Sequence, residues 1–113
     1  MKDDRLYLVH ILECIDRINS YVGEKGESAL MNSTLIQDTV LRNLQIMAES
    51  AQHLSDTIKA SHSDMPWHQI SGFRNILVHD YFDVKLDLVW NTIERDLPVL
   101  KCAVSEILEE FEK

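Results

Sequence analysis

The stretch STLIQDTVLRNLQIMAESAQHLSDTIKA, from Ser33 to Ala60, decides the fold. Its apolar residues recur at alternating four- and three-residue steps, which places them along one side of an α-helix. Ser33 precedes this pattern, where its hydroxyl can accept from free backbone amides, so we expect it to cap the helix. At ~1.5 Å per residue the helix would span roughly 40 Å, more than a small bundle needs for its own core, so part of it is free to face a partner. The stripe consists of Val40, Leu44, Met47, Ala51, Leu54 and Ile58.

The residues before this stretch predict one further helix, at the start of the chain, and a loop that follows it. A first helix should begin at Asp3 or Asp4, whose carboxylate can cap free amides, and end at Val22 before Gly23. Residues 23–32 contain two glycines and mixed charges, so we expect a loop there, which leaves room for one helical turn at its end.

After the long helix, Ser61 to Met65 predicts a turn. Pro66 suits the first position of a third helix, because proline has no amide hydrogen to satisfy there. This helix should end near His79 or Asp80.

A fourth helix is predicted from Asp83, which should cap it, through an apolar stripe that continues to the C-terminus. Pro98 removes one backbone hydrogen bond from this helix, so we expect a kink or a split, with Asp96 available to cap the second piece. The pattern therefore predicts an all-α protein of four helices, or five if Pro98 breaks the last one.

Composition favours one small helical domain over residues 1–113. Hydrophobic residues make up 45% and charged residues 27%, with three glycines and two prolines. No basic segment followed by an apolar run opens the chain, and no apolar run approaches the ~18 residues of a membrane span. We therefore expect a cytoplasmic protein with no membrane partner.

The cysteines and histidines do not predict a metal centre or a cofactor site. Cys14 and Cys102 lie within apolar helical patterns, which favours reduced, packed thiols. His62, Asp64 and His68 surround a proline and are more typical of a polar loop than of a metal site.

The segment RNILVHDY, from Arg74 to Tyr81, places three reactive side chains in an apolar context. Arginine can hold a phosphate with a planar fork of donors, histidine can exchange a proton near neutral pH, and tyrosine offers a modifiable hydroxyl. These are the parts of phosphate-ester chemistry. The alternative is a chance grouping of a surface arginine, a capping histidine and a half-buried tyrosine.

Five segments in order resemble the HepT-like branch of the HEPN superfamily over nearly the whole chain. They are LRNL at 41–44 ahead of ESA at 49–51, PWHQISG at 66–72, the arginine, histidine and tyrosine of 74–81, VW at 89–90, and DLP at 96–98. The resemblance implies a HEPN-type up-and-down bundle that forms a homodimer. It also implies a toxin that cleaves RNA without a metal, with Arg74 and His79 as catalytic residues in a composite site at the dimer cleft.

Helix geometry constrains this site. Around an unbroken helix Arg74 and His79 are ~140° apart, whereas Arg74 and Tyr81 are within ~20°. Either the helix ends just before His79, or each active centre takes a residue from a second subunit. Asn75 shares a side of the helix with His79, so it would orient the imidazole, contact the substrate, or serve as a polar interface residue.

RNA cleavage of this kind requires few protein groups, because the 2′-hydroxyl is the nucleophile. His79 would act as general base in one subunit and as general acid in the other. Arg74 would stabilise the charge that builds on the phosphate oxygens. DNA lacks the 2′-hydroxyl and should resist.

The formal net charge of -8 is opposite to the basic surface that binds long nucleic acids. Contact should therefore be local, through Arg74 and Arg42, and should favour a short single-stranded segment. The acidity equally suits a protein partner, which keeps a catalytically silent HEPN nucleotide-binding or assembly module as the alternative. The polar residues Asp38, Arg42, Gln45, Glu49 and Gln52 share a face that is either solvated or part of a dimer interface.

The resemblance also implies a regulatory role for Tyr81. A minimal nucleotidyltransferase antitoxin of the MntA type would transfer AMP to Tyr81 and neutralise the toxin. Each added phosphate would pair with Arg74 and occupy the RNA path. The alternative for Tyr81 is an aromatic side chain packed at a helix end.

Overall fold

The structure, a computed structural model, describes residues 2–79 and 83–111 and shows them as helices joined by short turns. A 3-10 turn at Gly23–Lys25 follows the first helix, and a π turn at Thr92–Asp96 connects the last two. These described residues contain no strand, which confirms the all-α prediction. The helices are α1 (Lys2–Val22), α2 (Glu27–Asn32), α3 (Thr34–Gln52), α4 (Asp56–Ser61), α5 (Trp67–His79), α6 (Leu86–Asn91) and α7 (Leu97–Phe111).

The core lies where α1 packs against α3 and α7, while α5 packs on another side of α3. Branched aliphatic side chains fill it, as the apolar stripes of the three long helices require. Within the described residues no helix has both the length and the apolar character needed to cross a membrane. The fully buried side chains of the core include Leu8, Ile11, Ile15, Ile18, Val40, Leu44, Val104 and Ile107.

The start of α3 follows the prediction, but its end does not. Ser33 Oγ accepts from the amide of Ile36 at 3.2 Å, so Ser33 caps α3. The helix ends at Gln52 instead of near Ala60, because Ser55 caps a separate helix, α4. Its Oγ accepts from the amide of Ile58 at 3.3 Å.

Asp4 explains why the helix breaks at Ser55. This carboxylate is 3% exposed and accepts from the Ser55 amide at 2.8 Å and from Ser55 Oγ at 2.6 Å. The prediction that it caps α1 is therefore wrong, since α1 already begins at Lys2 and the carboxylate serves the start of α4. A buried, ionisable group with two donors from one residue is a specific tertiary contact between α1 and the α3–α4 junction.

Residues 23–32 form more structure than the predicted loop. α2 occupies Glu27–Asn32 and buries Leu30 completely, and Gln37 Nε2 donates to the Leu30 carbonyl at 3.0 Å. Gly26 has a φ of 55°, and a Cβ there would lie 3.2 Å from the Trp90 ring. Four of the six residues of α2 are good helix formers, and the burial of Leu30 adds to the stability of this short helix.

The last helical run differs from the prediction at both of its proposed caps. Lys85, instead of Asp83, occupies the position before α6 and makes no side-chain cap bond. Asp96 is the last residue of the π turn, inside the run, so it does not cap a second piece. Pro98 lies one residue into α7, and the carbonyl four residues before it belongs to the π turn. The wider turn thus accommodates the proline ring without ending the helical run.

Candidate active site on α5

α5 is the least buried of the longer helices. Among its thirteen residues only Trp67 and Leu77 are buried. Ile76 is 48% exposed and Val78 39% exposed, although both are apolar. One side of α5 is thus covered by α3, and the remainder is open.

Arg74 lies on the side of α5 that meets α3. Its Nε donates to Glu49 Oε1 at 3.4 Å, and its Nη1 donates to Asn75 Oδ1 at 3.3 Å. These bonds use two of the five N–H donors of a guanidinium. The Arg74 side chain is 34% exposed and that of Glu49 is 37% exposed, so the pair is accessible to solvent and to a ligand.

Glu49 is itself held in place. Gln45 Nε2 donates to the same Oε1 atom at 3.1 Å, and one turn further along Gln52 Nε2 donates to the Ser71 carbonyl at 2.9 Å. The polar face of α3 was expected to be solvated or to form a dimer interface, but three of its residues contact α5 or one another in a single chain. The regular spacing of Gln45, Glu49 and Gln52 was the signal for this, because it places all three on one side of α3.

Arg42 does not join Arg74 in this chain. It is exposed on α3, two helical turns and ~10 Å along the axis from Glu49. A contact between the two arginines and one phosphate therefore stays a prediction.

His79 is exposed and is the last residue of α5. Because α5 is regular from Trp67 to His79, the helix does not end before this histidine. Arg74 and His79 are therefore separated by ~140° around the axis and ~7.5 Å along it. Asn75 lies on the same side as His79, but its side chain contacts Arg74.

Tyr81, the predicted AMP acceptor, lies outside the described residues, as do Asp80 and Phe82. Across residues 2–79 and 83–111 no group of three or more metal-ligating side chains is placed to hold an ion. His62 Nε2 lies 3.4 Å from Glu110 Oε2, which links the end of α4 to α7.

The two cysteines occupy different environments. Cys14 is buried in the core, and this burial raises the pKa of its thiol. Cys102 is exposed on α7, where its Sγ donates to Glu106 Oε1 at 3.8 Å. The prediction that both are packed hydrophobes thus holds for Cys14 alone, and neither forms a disulfide.

Comparison with known proteins assigns the family. Residues 11–107 match the family described as Ribonuclease HepT-like. The chain belongs to this family. The matched range includes Arg74, His79 and Tyr81.

Several proteins are similar to this HepT-like chain. A "Putative RNase" of Caldanaerobacter subterraneus is 37% identical over 111 residues, which cover 97% of this chain and 98% of that protein. A "Probable ribonuclease HepT" of Thermococcus cleftensis is 30% identical over 95 residues, 84% of this chain and 86% of the other. A "Gamma-glutamylcyclotransferase and putative RNase" of Methanocaldococcus jannaschii is 36% identical over 112 residues, 99% of this chain. This chain spans only 50% of that last protein. No solved structure matches significantly.

Proposed function

We propose that this HepT-like protein is the ribonuclease toxin of a toxin–antitoxin pair, and that its active centre forms between two copies of the chain. The observation that carries the proposal is the regular helix from Arg74 to His79. In one chain these side chains point to different sides of α5, so they meet at one phosphate only if a second chain approaches. The family membership supplies the class of reaction.

The open side of α5 is suited to such an approach. His68, Gly72, Asn75 and His79 follow one another at steps of four, three and four residues, which places them in one line along the helix. A Cβ built on Gly72 would meet nothing within 4 Å. Glycine costs a helix interior ~1 kcal/mol relative to alanine, so a glycine in open space suggests a close helix contact that one chain does not contain.

The chemistry follows from placing two such helices face to face. The 2′-hydroxyl of the RNA attacks the adjacent phosphorus while His79 of one chain removes its proton. His79 of the second chain protonates the departing 5′-oxygen. The two Arg74 guanidinium groups hold the nonbridging oxygens as negative charge builds on them. No metal ion is required in this scheme.

Asn75, which is exposed, has a positioning role in this proposed mechanism. Its Oδ1 accepts from Arg74 Nη1 at 3.3 Å, and its position faces the same side as His79. We infer that Asn75 links the two catalytic residues by orienting the guanidinium beside the partner imidazole. Arg42, exposed on α3, would contribute only to phosphates outside the scissile bond.

The proposed off switch is Tyr81, two residues beyond His79. AMP transferred to its hydroxyl by an MntA-type nucleotidyltransferase would bring a phosphate into the site and compete with RNA for Arg74. Co-expression should add mass in steps of one AMP to the peptide that contains Tyr81. Tyr81→Phe should remove these steps and escape neutralisation, whereas modification of Tyr7 or Tyr21 instead would place the switch elsewhere.

Subunit mixing tests the composite site. Wild-type and His79→Ala chains, refolded together in equal amounts, should retain about one quarter of the wild-type activity, because random pairing leaves one quarter of the dimers with both histidines. Retention of one half would mean that each chain cuts alone. A mixture with an Asp3→Ala chain, altered at an exposed position on α1, provides the control and should stay fully active.

A silent assembly module is the second candidate, and the Arg74–Glu49 ion pair favours it. In that protein the arginine would serve to join α5 to α3, and a net charge of -8 would repel RNA. Unmodified dimer that cleaves no RNA, with or without added metal ions, would establish this alternative.

A further inference from the structure

An unpartnered hydroxyl marks a second polar site on α5. Ser71 Oγ is buried and has no hydrogen-bond partner in the part of the chain that the structure describes. Its carbonyl, by contrast, accepts from Gln52 Nε2 at 2.9 Å. A buried polar atom without a partner costs free energy, and such atoms often lie where a ligand binds.

Ser71 lines an open depression of about 330 Å³ between the ends of α3, α4 and α5. Its lining contains an ammonium, an imidazole, an amide, a hydroxyl and an indole, but no carboxylate. This is unusual in a chain with 19 acidic and 11 basic residues. The lining residues are Gln52, Lys59, Trp67, His68 and Ser71.

The ammonium, imidazole, amide and hydroxyl can each donate a hydrogen bond to an anion, whereas the indole N–H of Trp67 already donates to the His62 carbonyl at 3.0 Å. Lys59 is half-buried and supplies the positive charge, and Trp67, which is 6% exposed, forms the apolar floor. Ser71 lines the depression, and its Oγ is the buried group there that lacks a hydrogen-bond partner among the described residues. Trp67 and His68 place the depression beside the first turn of α5, where the helix dipole favours negative charge.

The position of this depression relates it to Arg74. Glu49 pairs with Arg74, and Gln52 pairs with Ser71 one turn away, so α3 and α5 run antiparallel along a common groove. The depression lies beside Ser71, which is about one helical turn, ~4.5 Å along the axis of α5, from Arg74. One nucleotide of an extended RNA strand can cover this distance.

We infer that Lys59, His68 and Ser71 form a subsite for the RNA phosphate next to the scissile one. This inference rests on the proposed function, because Arg74 is taken to hold the scissile phosphate. It explains how a protein of net charge -8 binds RNA. Two anion sites in one groove bind adjacent phosphates, while the acidic surface repels the phosphates of the strand that lie outside them. It also makes the preferred substrate a single strand, since a duplex would present its phosphates with a fixed, different geometry.

The first test measures binding without cleavage. A tetraribonucleotide methylated at every 2′-oxygen has three phosphates and cannot be cut, so its Kd reports contacts alone. Lys59→Ala should raise the Kd by about tenfold and reduce the slope of log Kd against log salt by ~0.7, the loss of one phosphate contact to a single strand. Ser71→Ala should raise the Kd by about threefold, because it removes one neutral donor.

Lys25→Ala is the matched control. Lys25 is an exposed lysine in the 3-10 turn that follows α1, at the opposite end of that helix from the α3–α4 junction. It changes the net charge by the same amount as Lys59→Ala. If the two variants show equal Kd values and equal salt slopes, the subsite does not exist.

The second test separates this inference from the proposed nuclease. Lys59→Ala should raise the KM of an unmodified tetraribonucleotide while leaving cleavage of a dinucleoside monophosphate, which has one phosphate, unchanged. A loss of rate on both substrates would place Lys59 at the scissile phosphate and overturn the subsite. If wild-type protein cuts neither substrate but still binds the methylated strand in a Lys59-dependent manner, phosphate binding at Lys59 is retained and the nuclease proposal fails.

Discussion

α3 and α5 contact each other along one groove but differ in how they are buried. α3 buries eight residues, including the polar Asn43 and Ser50, whereas α5 buries two. Yet α5 is on average the more apolar of the two helices. Exposure of Ile76 and Val78 therefore does not follow from composition, and it supports the proposed contact of α5 with a second chain.

This comparison predicts that changes on the open side of α5 alter activity, and that changes around α1 and α3 alter stability. The largest effect should come from His79→Ala. Loss of a general acid and base should reduce RNA cleavage by ~10²- to 10⁴-fold, while the exposed position leaves the thermal midpoint unchanged. Rate and unfolding measurements on one sample decide this. If His79→Ala also clearly lowered the Tm, His79 would contribute to the packing of the chain, and this side of α5 would not be free of stabilising contacts.

Arg74→Lys tests the other proposed catalytic residue. Lysine retains the charge but loses the planar fork that can bind two phosphate oxygens, so we expect a loss of rate close to that of His79→Ala. Activity near the wild-type level would mean that Arg74 acts only as a point charge.

Asp4→Ala should show the opposite pattern. It removes the acceptor of two short bonds to Ser55 and leaves that amide without its partner, so it should lower the free energy of unfolding by ~2–3 kcal/mol. RNA cleavage by the folded fraction should stay normal. Denaturant titration measures the change, and Asp3→Ala, at the exposed neighbouring position, should have little effect.

Glu49 of α3 contacts Arg74 of α5, and substitutions of Glu49 should affect kcat and KM for different reasons. Glu49→Ala frees the guanidinium of Arg74, so kcat should fall by about tenfold, while loss of a negative charge beside the phosphate should lower KM. Glu49→Gln keeps an acceptor for Arg74 Nε and should restore kcat but retain the lower KM. Glu109→Gln, exposed on α7, is the charge-matched control. If both Glu49 variants leave kcat intact, Glu49 does not position Arg74.

Gly72→Ala should give the smallest effect but the clearest sign. In a free chain alanine has open space and a better helix propensity, so it should stabilise the monomer by ~0.5–1 kcal/mol. In the proposed dimer the added methyl group should weaken association and reduce activity together. Sedimentation velocity at several concentrations tests this, and a more stable variant with unchanged dimerisation would remove Gly72 from the interface.

The sequence predicted the elements that depend on local pattern. The apolar stripe of α3 from Val40 to Ala51, the apolar stripe of the last helical run and the Ser33 cap were correct, because helical period and capping chemistry act within a few residues. The sequence also picked out Arg74, Asn75 and His79 as neighbours on one segment, which the helix bounds of α5 confirm; their catalytic roles stay a prediction.

Features set by distant residues were not predictable in this way. The break before Ser55 depends on Asp4, the burial of Leu30 in α2 depends on packing against the rest of the bundle, and the position of Glu49 depends on how α5 docks on α3. The depression around Lys59 and Ser71 combines three helices, so no spacing in the sequence could indicate it.

The hydrogen bonds from Ser55 to Asp4 join residues 51 positions apart in the chain, which gives them a consequence for folding. The apolar pattern continues through this junction, so a peptide of residues 33–61 by itself should form one unbroken helix. We expect the bend to form only after α1 has docked and closed a long loop, because loop closure is slow compared with helix growth. We therefore expect the break between α3 and α4, and with it the depression beside Lys59, to form after the N-terminal helix has docked.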